Sequence, residues 1–329
     1  MRLILSWNGR RVTSAEVLGR RPLAARVLLG QPIERVLELV PRLFSLCGQA
    51  QGVAARLACG AARGEVPDAA AVQEDGRRVA LEAIGEHLWR LLLDWPLLLG
   101  QPVRKDEFMA WRKRLLAVKG AAQGAALGAE LRTWLRTEAP LSIEPGVALT
   151  SGALLPMLTA EAWGRQCVDE DFAEQPTFAG RPAETGPLAR RFAAGEAVCL
   201  RTTGQGVAAR LAARYADLDF LATALLEPEK LAGWLDAVPL AGNVGLARVE
   251  TARGLLLHLT QVKDGRVGRY VIVAPTEWNF HPQGAFVGEI TGCPAASQAE
   301  AEALARRLAL ALDPCVAYEV EVKRVADDA

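Results

Sequence analysis

The chain has 329 residues, of which 51% are hydrophobic, and its 38 basic residues balance its 38 acidic residues. This composition is typical of a globular protein and excludes a disordered chain. The balanced charge gives no general affinity for nucleic acid or for acidic membranes, so we expect neither as a partner.

Two further observations narrow the class of protein. The N-terminus has only a short apolar run, and the apolar stretch Leu91–Leu99 is broken by Asp94 and Pro96 and falls short of the ~20 residues that span a bilayer. We therefore expect no signal peptide, no membrane association and a cytoplasmic location. The six cysteines include no C-x-x-C pair, so a zinc ribbon or a thioredoxin-type site is unsupported.

The chain is predicted to begin with a β-hairpin over residues 1–20. Asn8-Gly9 is a preferred dipeptide of the type I′ turn, because both of its residues tolerate a positive φ. The strand patterns on either side are short, and we expect them to form an ordinary N-terminal sheet.

Residues 22–140 are predicted to be mainly helical. The apolar periodicity is clearest over Val79–Leu93 and Arg112–Arg136. A stretch rich in glycine and alanine begins at Gly120, and we expect a kink or a loop there. His87 is interpreted as a surface or packing residue, since nothing near it in the sequence indicates a site.

The helical segment 33–62 contains Cys47 and, after it, a series of small residues. Small side chains let two backbones approach closely, so we expect this part of the chain to lie deep in the core. From its residue type alone, Cys47 is interpreted as a small buried hydrophobe, because cysteine is among the most buried residues.

Residues 141–180 are rich in proline and glycine and are predicted to form an irregular connection. The acidic run Asp169–Asp171 within it is expected to be solvated. Residues 181–329 are predicted to contain helices, of which one or two cover 207–237, a β-hairpin over 255–274 and a C-terminal cysteine motif.

The predicted hairpin 255–274 turns at Asp264-Gly265, where glycine takes a positive φ without strain. Arg253 stands just before its first strand, and the polar loop Pro275–Asn279 follows its second strand. One arginine and one polar loop therefore flank a rigid element of the sheet.

The C-terminal cysteine motif follows a helix predicted over Ala299–Leu312. Asp313-Pro314 restricts the path of the chain as it leaves this helix and holds Cys315 in a defined place. Tyr318–Val325 alternates between apolar and polar residues and is predicted to be a final strand.

Several of these stretches, taken in order, resemble the large subunits of nickel-iron hydrogenases. The matching stretches are Cys47-Gly48, Gly186–Arg190, Ala252-Arg253-Gly254, His258, Lys263-Asp264-Gly265, Pro275–Asn279 and Asp313-Pro314-Cys315. The resemblance covers residues 22–60, 180–192, 247–292 and 305–321. It implies a single large-subunit-like domain over 1–329, with a shortened, degenerate fold that is mainly α with small β-elements (α+β).

In that family, the matching arginine lies beside the cyanide ligands of the active-site iron. The resemblance therefore implies a candidate site with two metal ligands, Cys47 and Cys315, and four cofactor-binding residues, Arg253, His258, Trp278 and Asn279. It also implies that the helices around 33–62 and 299–312 pack side by side and so bring the two cysteines together.

Half of the family's thiolates are missing from this chain. A nickel-iron centre needs four thiolates, two terminal on nickel and two that bridge to iron, because soft thiolate ligands and their number select the metal. Cys47 and Cys315 match the terminal positions, whereas Ala50 and Tyr318 stand at the bridging positions. The chain also departs from the family pattern at Ala25, Ala54 and Glu321. We therefore expect neither nickel nor hydrogen chemistry, and we do not expect an enzyme.

This pattern of retention and loss is similar to that of the hydrogenase assembly proteins of the HupK/HoxV type. The resemblance implies a non-catalytic maturation factor, a scaffold that assists assembly or transfer of the iron-cyanide-carbonyl unit to the large subunit. The implied cofactor is transient iron with cyanide and carbon monoxide ligands. The implied partners are hydrogenase maturation factors and the large-subunit precursor.

The alternative is a structural large-subunit-like component of a respiratory dehydrogenase complex without a metal site. The retained Cys47 and Cys315 argue against it, because a chain without metal chemistry has no need of these thiols. Co-purification of maturation factors, or of membrane dehydrogenase subunits, would separate the two interpretations.

Overall fold

The computed structural model describes residues 1–19, 24–44, 46–138, 140–141, 153–166, 168–195 and 206–326. The strands are β1 (Arg2–Trp7), β2 (Val12–Leu18), β3 (Ala153–Leu154), β4 (Ala183–Glu184), β5 (Leu235–Leu240), β6 (Val244–Thr251), β7 (Gly254–Lys263), β8 (Arg266–Val273) and β9 (Glu319–Arg324). The helices are α1 (Ile33–Leu43), α2 (Gly48–Ala62), α3 (Ala69–Trp89), α4 (Trp95–Leu98), α5 (Lys105–Ala117), α6 (Ala121–Thr137), α7 (Ala160–Gly164), α8 (Glu170–Glu174), α9 (Pro187–Ala193), α10 (Gly206–Leu226), α11 (Pro275–Asn279), α12 (Ala285–Ile290) and α13 (Gln298–Leu312). This content confirms the predicted fold class, mainly α with small β-elements.

The two ends of the chain meet in one three-stranded sheet with the order β2-β1-β9. β1 and β2 form the predicted N-terminal hairpin, and β9 confirms the predicted final strand. β9 runs parallel to β1, with Leu3 opposite Val320. This pairing of the first and last strands has no local signal in the sequence, because parallel partners need no turn between them.

The central sheet is a four-stranded antiparallel meander with the order β5-β6-β7-β8. Its last two strands confirm the predicted hairpin, and Asp264 (φ 50°) and Gly265 (φ 72°) both have the positive φ of a type I′ turn. The prediction of helix over 207–237 is wrong at its end, because α10 stops at Leu226 and β5 begins at Leu235. Pro228 removes a backbone donor there and disfavours helix for the residue before it.

Both faces of β7 are buried, and α2 covers one of them. Leu255, Leu257 and Leu259 pack into an apolar cluster on one face, whereas His258 faces α2. α2 lies so close to β6 that a Cβ atom on Gly245 would sit 2.1 Å from the carbonyl oxygen of Ala58. The small residues of α2 permit this approach, which confirms that the helix lies deep in the core.

The helical part differs in detail from the prediction. α3 continues through a π-helical turn, Arg90–Asp94, into α4, so the predicted helix over 79–93 is longer. The break between α5 and α6 ends at Gly120, and the stretch after it is helical instead of a loop. Its small residues serve packing against α10, since a Cβ atom on Gly128 would lie 2.4 Å from the Ala222 carbonyl oxygen.

The predicted packing of the two cysteine-bearing helical segments is wrong. α2 lies on β5, β6 and β7 and against α1 and α3, whereas α13 packs against α10, α12, β1 and β9. The two helices do not run side by side, although their ends converge. The reason is that α2 is the cover of the central sheet, and its small side chains are used there.

Part of the predicted irregular connection 141–180 lies outside the described residues, as do Cys167 and Cys199. Its described part contains β3 and the short helices α7 and α8. The division of the chain into a single domain over 1–329 remains a prediction. Among the described residues, no helix has both the length and the apolar character that a bilayer span requires.

Candidate functional site

Three side chains from distant parts of the chain converge where α2 begins and α13 ends. Cys47 is the residue that precedes α2, Arg253 lies in the turn between β6 and β7, and Cys315 follows α13. Cys47 lies close enough to both other side chains for their charges to shift its pKa. We call Cys47, Arg253 and Cys315 the two-thiol site.

The Cys47 thiol is half-buried and accepts a hydrogen bond from the Gln51 side chain, with Nε2 3.6 Å from Sγ. Burial raises its pKa to about 12, and Cys315 and Glu82 act in the same direction. Arg253 and the bond from Gln51 oppose this shift. Cys47 is therefore a protonated thiol at neutral pH, and the thiol must release a proton before its sulfur can act as a thiolate.

Cys315 is clamped to the loop that follows the central sheet. Thr276 Oγ1 lies 3.1 Å from Cys315 Sγ and donates to it, and the Cys315 backbone N–H donates to the same oxygen over 3.2 Å. Asp313, two residues before, ends α13 in the left-handed conformation (φ 56°, ψ 68°) that aspartate tolerates. The path of the chain from helix to thiol is thus fixed at both ends.

Arg253 is buried and is held by two carboxylates. Its Nη2 donates to Glu86 over 2.5 Å, and its Nε donates to Asp313 over 3.2 Å. Burial alone would lower the pKa of Arg253, but these two ion pairs outweigh it and raise that pKa. Its Nη1 donates to none of the described residues, so one arm of the guanidinium keeps donors for a further acceptor.

Two glycines let the Gly186–Arg190 run pack against the turn that carries Arg253. Gly186 has a φ of 118°, and a Cβ atom there would lie 2.8 Å from the Arg253 carbonyl oxygen. Gly254 has a φ of 125°, and a Cβ atom there would lie 2.5 Å from Thr185 Oγ1. Both glycines are required by a positive φ and by a close backbone approach at once.

Asn279 and Trp278 lie on α11, the short helix whose Thr276 contacts Cys315. Asn279 accepts from the Thr185 backbone N–H over 2.9 Å and donates to the Leu312 carbonyl oxygen over 3.2 Å, so both of its polar atoms hold the chain together. The Trp278 ring is fully buried, 5.7 Å from the ring centre of Trp163, in the second apolar cluster. Both side chains support the local structure, and their contact with a cofactor stays a prediction.

His258 also lies behind the site. Its Nε2 is 2.9 Å from Gln51 Oε1, and its Nδ1 is 2.8 Å from the Tyr270 hydroxyl. Burial lowers the pKa of His258 to about 3, so the ring is neutral. Both ring nitrogens have partners among the described residues, and His258 is linked to Cys47 through Gln51. Its contact with an iron unit stays a prediction.

Comparison with known proteins identifies the kind of chain that carries this site. Residues 224–320 match the family model of the nickel-dependent hydrogenases. The hydrogenase expression/formation protein HoxV of Cupriavidus necator is 32% identical over 93% of this chain and 92% of its own length. HupK of Azotobacter vinelandii is 34% identical over 92% of this chain and 91% of its own length. This chain belongs to the HupK/HoxV family of hydrogenase expression/formation proteins.

Solved structures extend the likeness of this HupK/HoxV-family chain to its fold. A [NiFeSe]-hydrogenase of Dm. baculatum aligns over 93% of this chain and 94% of its own, with a TM-score of 0.65 and 14% identity. An NAD+-reducing [NiFe]-hydrogenase aligns over 93% of both chains, with a TM-score of 0.61 and 18% identity. At these identities the likeness concerns the fold alone, and it confirms the predicted large-subunit-like architecture.

The donor set of this HupK/HoxV-family chain does not fit a bimetallic centre of four thiolates. Ala50 is fully buried at one bridging position and Tyr318 stands at the other, and neither offers a thiolate. Among the described residues, no group of three or more His, Cys, Asp or Glu side chains is arranged to hold a metal ion. The two-thiol site therefore consists of two thiols and one arginine.

A buried network of charges behind Cys315 was missed by sequence reasoning. Asp313 lies 2.8 Å from Arg90, 3.0 Å from Arg214 and 3.2 Å from Arg253. Burial would raise the pKa of Asp313, but the three arginines outweigh it and lower that pKa. The carboxylate is therefore charged and holds the arginines around the end of α13.

The Asp313 cluster, defined as Asp313 with Arg90, Arg214 and Arg253, continues through His87. Arg214 Nη1 lies 3.0 Å from His87 Nδ1, and His87 Nε2 lies 3.0 Å from Asp217. Burial lowers the pKa of His87 to about 4, so this ring is neutral and fully buried. The signal in the sequence was the spacing of Arg210, Arg214 and Asp217, which places three charged side chains on one face of α10.

A small cavity lies between Arg253 and this network. Its volume is about 10 Å³, which is close to the space that one water molecule needs. Its lining includes Glu184, Arg210, Arg214, Asn279 and Asp313. Neither thiol lines it, so it belongs to the charge network.

Proposed function

We propose that this protein takes part in the maturation of nickel-iron hydrogenases as a non-catalytic scaffold. In this proposal, it holds an iron-cyanide-carbonyl unit between Cys47 and Cys315 before the unit passes to the large subunit. The proposal rests on one observation: two thiols and one arginine, from segments more than 60 residues apart in the sequence, converge in the structure. The names of the relatives, which are hydrogenase expression/formation proteins, support the same role.

Arg253 is suited to recognise the cyanide ligands. Cyanide bound to iron keeps an electron-rich nitrogen, and a charged donor to such an acceptor contributes about 1.5–3 kcal/mol. Glu86 and Asp313 fix the guanidinium, and its Nη1 is uncommitted among the described residues. An arginine stays charged when buried, whereas a lysine in its place would lose its proton more readily.

The number of thiols suits a cargo that must be released. Two thiolates hold iron less tightly than four would, and the proton that Cys47 must lose on loading is available again on release. In this proposal, iron with cyanide and carbon monoxide is a transient cargo, and nickel is not bound.

Partners and location form the remaining part of the proposal. We infer docking to hydrogenase maturation factors and to the large-subunit precursor, in the cytoplasm, where thiols that must bind iron stay reduced. Affinity purification of the tagged protein from hydrogenase-expressing cells should recover maturation factors. Recovery of membrane dehydrogenase subunits in their place would overturn this part.

The function is tested by hydrogenase maturation in cells that carry single variants. Cys47→Ser, Cys315→Ser and Arg253→Lys should each lower the yield of active hydrogenase, because each removes a ligand or the fixed donor geometry. Cys293→Ser is the matched control, since Cys293 is buried elsewhere and donates to the Glu289 carbonyl oxygen over 3.0 Å, as serine can. If all four variants mature hydrogenase at the wild-type rate, the two-thiol site has no role.

A further inference from the structure

A chain of three hydrogen bonds leads from the centre of the molecule to the Cys47 sulfur. Tyr270 on β8 contacts His258 on β7 over 2.8 Å, His258 contacts Gln51 on α2 over 2.9 Å, and Gln51 contacts Cys47 over 3.6 Å. All three supporting side chains are at least 96% buried. Gln51 stands four residues after Cys47, which places its side chain over the thiol on the first turn of α2.

The direction of the donors in this chain is set by Tyr270. The Tyr270 hydroxyl has His258 as its partner and no other within the described residues. If it accepted from the ring, its own proton would be buried without an acceptor, which folded proteins avoid. Tyr270 therefore donates to His258 Nδ1, and the neutral ring carries its proton on Nε2.

The same direction then holds for the remaining steps. His258 Nε2–H donates to Gln51 Oε1, so the amide of Gln51 must turn its Nε2 toward Cys47. The sulfur thus receives an N–H whose orientation is fixed by Tyr270 on β8, the strand next to that of His258. A glutamine without this chain could rotate its amide and offer its oxygen to the thiol instead.

We propose that Tyr270, His258 and Gln51 form a one-way chain of hydrogen-bond donors that keeps an amide N–H on the Cys47 sulfur and so tunes its thiolate for reversible binding of iron. The part that concerns iron rests on the proposed function. Hydrogen bonds to sulfur withdraw electron density from it and are a known means by which outer residues tune a bound metal. Tyr270, His258 and Gln51 are positioning residues, since none of them touches the cargo.

The first test uses the metal-free protein and iodoacetamide. The rate of Cys47 alkylation is measured from pH 7 to pH 10 by peptide mapping in the wild type, Gln51→Leu and Tyr270→Phe. Loss of the donor destabilises the thiolate, so Gln51→Leu should react about three- to tenfold more slowly at fixed pH. Tyr270→Phe, which removes one oxygen atom, should show a smaller decrease in the same direction.

Gln49→Leu is the matched control, because Gln49 is exposed on the same first turn of α2. Its alkylation rate should equal that of the wild type. Equal rates in all four proteins, with native circular dichroism, would overturn the proposal. A decrease in Gln49→Leu as large as in Gln51→Leu would also overturn it, because the effect would then belong to the helix turn and not to the chain.

The second test uses anaerobically purified protein and the infrared bands of carbon monoxide and cyanide. Without the N–H, the Cys47 sulfur donates more electron density to iron, and the carbon monoxide band should move to lower frequency in Gln51→Leu. If the carbon monoxide band of Gln51→Leu has the wild-type frequency, the proposal that the donor chain tunes bound iron is wrong. Absence of bands in the wild type would contradict the proposed function, while the alkylation rates still decide whether the donor chain acts on Cys47.

Discussion

The two thiols of the site are supported in opposite ways. Cys47 is supported by an uncharged chain, in which Gln51 donates to the sulfur and neutral His258 orients Gln51. Cys315 is supported by Thr276 and by the charged Asp313 cluster two residues before it in the chain.

The two kinds of support control different properties of the thiols. A carboxylate among three arginines fixes a position, because moving any member leaves a buried charge without its partner. A neutral chain of donors costs less to distort, and its main effect is on the electron density of the sulfur that it ends on. Cys315 is thus held in place, whereas Cys47 is adjusted chemically.

The largest expected effect comes from removing the charge at the centre of the Asp313 cluster. Asp313→Asn leaves Arg90, Arg214 and Arg253 facing one another without their shared carboxylate and should lower the free energy of unfolding by about 3–5 kcal/mol. Urea denaturation measures this change. Asp219→Asn, on a half-exposed pair with Arg132, is the control and should cost less than about 1 kcal/mol. A similar small cost for Asp313→Asn would contradict the comparison.

Low pH should destabilise the protein through two buried histidines, His258 in the neutral chain at Cys47 and His87 beside the Asp313 cluster. His87 and His258 have pKa values lowered to about 4 and about 3 by burial, against 6.5 in the unfolded chain. Below pH 6.5 each histidine is protonated in the unfolded state but stays neutral in the folded state. Each histidine therefore lowers the free energy of unfolding by about 1.4 kcal/mol per pH unit until the pH reaches its folded pKa.

Denaturation curves at pH 6.0, 5.5 and 5.0 test this assignment through their slopes. Glu82, whose pKa burial raises to about 7, acts with the opposite sign, so the difference between variant and wild type is the readout. His87→Gln and His258→Gln should each reduce the slope of the free energy of unfolding against pH by the equivalent of about one proton, or about 1.4 kcal/mol per pH unit. A slope that is unchanged in either variant would show that this histidine is not buried as a neutral ring.

The turn that carries Arg253 should tolerate no side chain at Gly254. Gly254→Ala would bring its Cβ atom within 2.6 Å of the Gly186 backbone nitrogen at a φ of 125° and should cost about 2–3 kcal/mol in the free energy of unfolding. Gly265→Ala in the next hairpin turn is the control, because it also has a positive φ but has open space around it. Equal losses in the two variants would show that the close approach to Gly186 adds nothing.

The smallest expected effect is at the far end of the neutral chain. Tyr270→Phe removes one hydrogen bond to His258 and should lower the free energy of unfolding by about 1 kcal/mol. We expect this loss to be several times smaller than that of Asp313→Asn in the same urea assay. A larger loss for Tyr270→Phe would mean that the neutral chain, and not the charged cluster, fixes the architecture of the site.

The sequence predicts the parts of the site whose signals are local. The turn at Asp264-Gly265, the helix before Asp313 and the two cysteine motifs are all set by neighbouring residues. The meeting of Cys47, Arg253 and Cys315 followed only from the resemblance to a known family.

The supports could not be predicted in the same way. Glu86 and Arg253 are 167 residues apart, and Gln51 and His258 are 207 apart, so no local pattern links them. β5 and β6 were missed although local signals exist, since Pro228 follows the helix and Gly242-Asn243, both with positive φ, join the two strands. The side-by-side packing of the two helical segments was wrong because the small residues of α2 serve the central sheet.

The central claim is that Cys47 and Cys315 together hold an iron-cyanide-carbonyl unit beside Arg253. Infrared spectroscopy and metal analysis of protein purified without oxygen from hydrogenase-expressing cells test it most directly. We predict iron without nickel, with carbon monoxide and cyanide bands in the wild type and in Cys293→Ser, and loss of the bands in Cys47→Ser and in Cys315→Ser. Bands that persist in both of these serine variants, or stoichiometric nickel in the wild type, would contradict it.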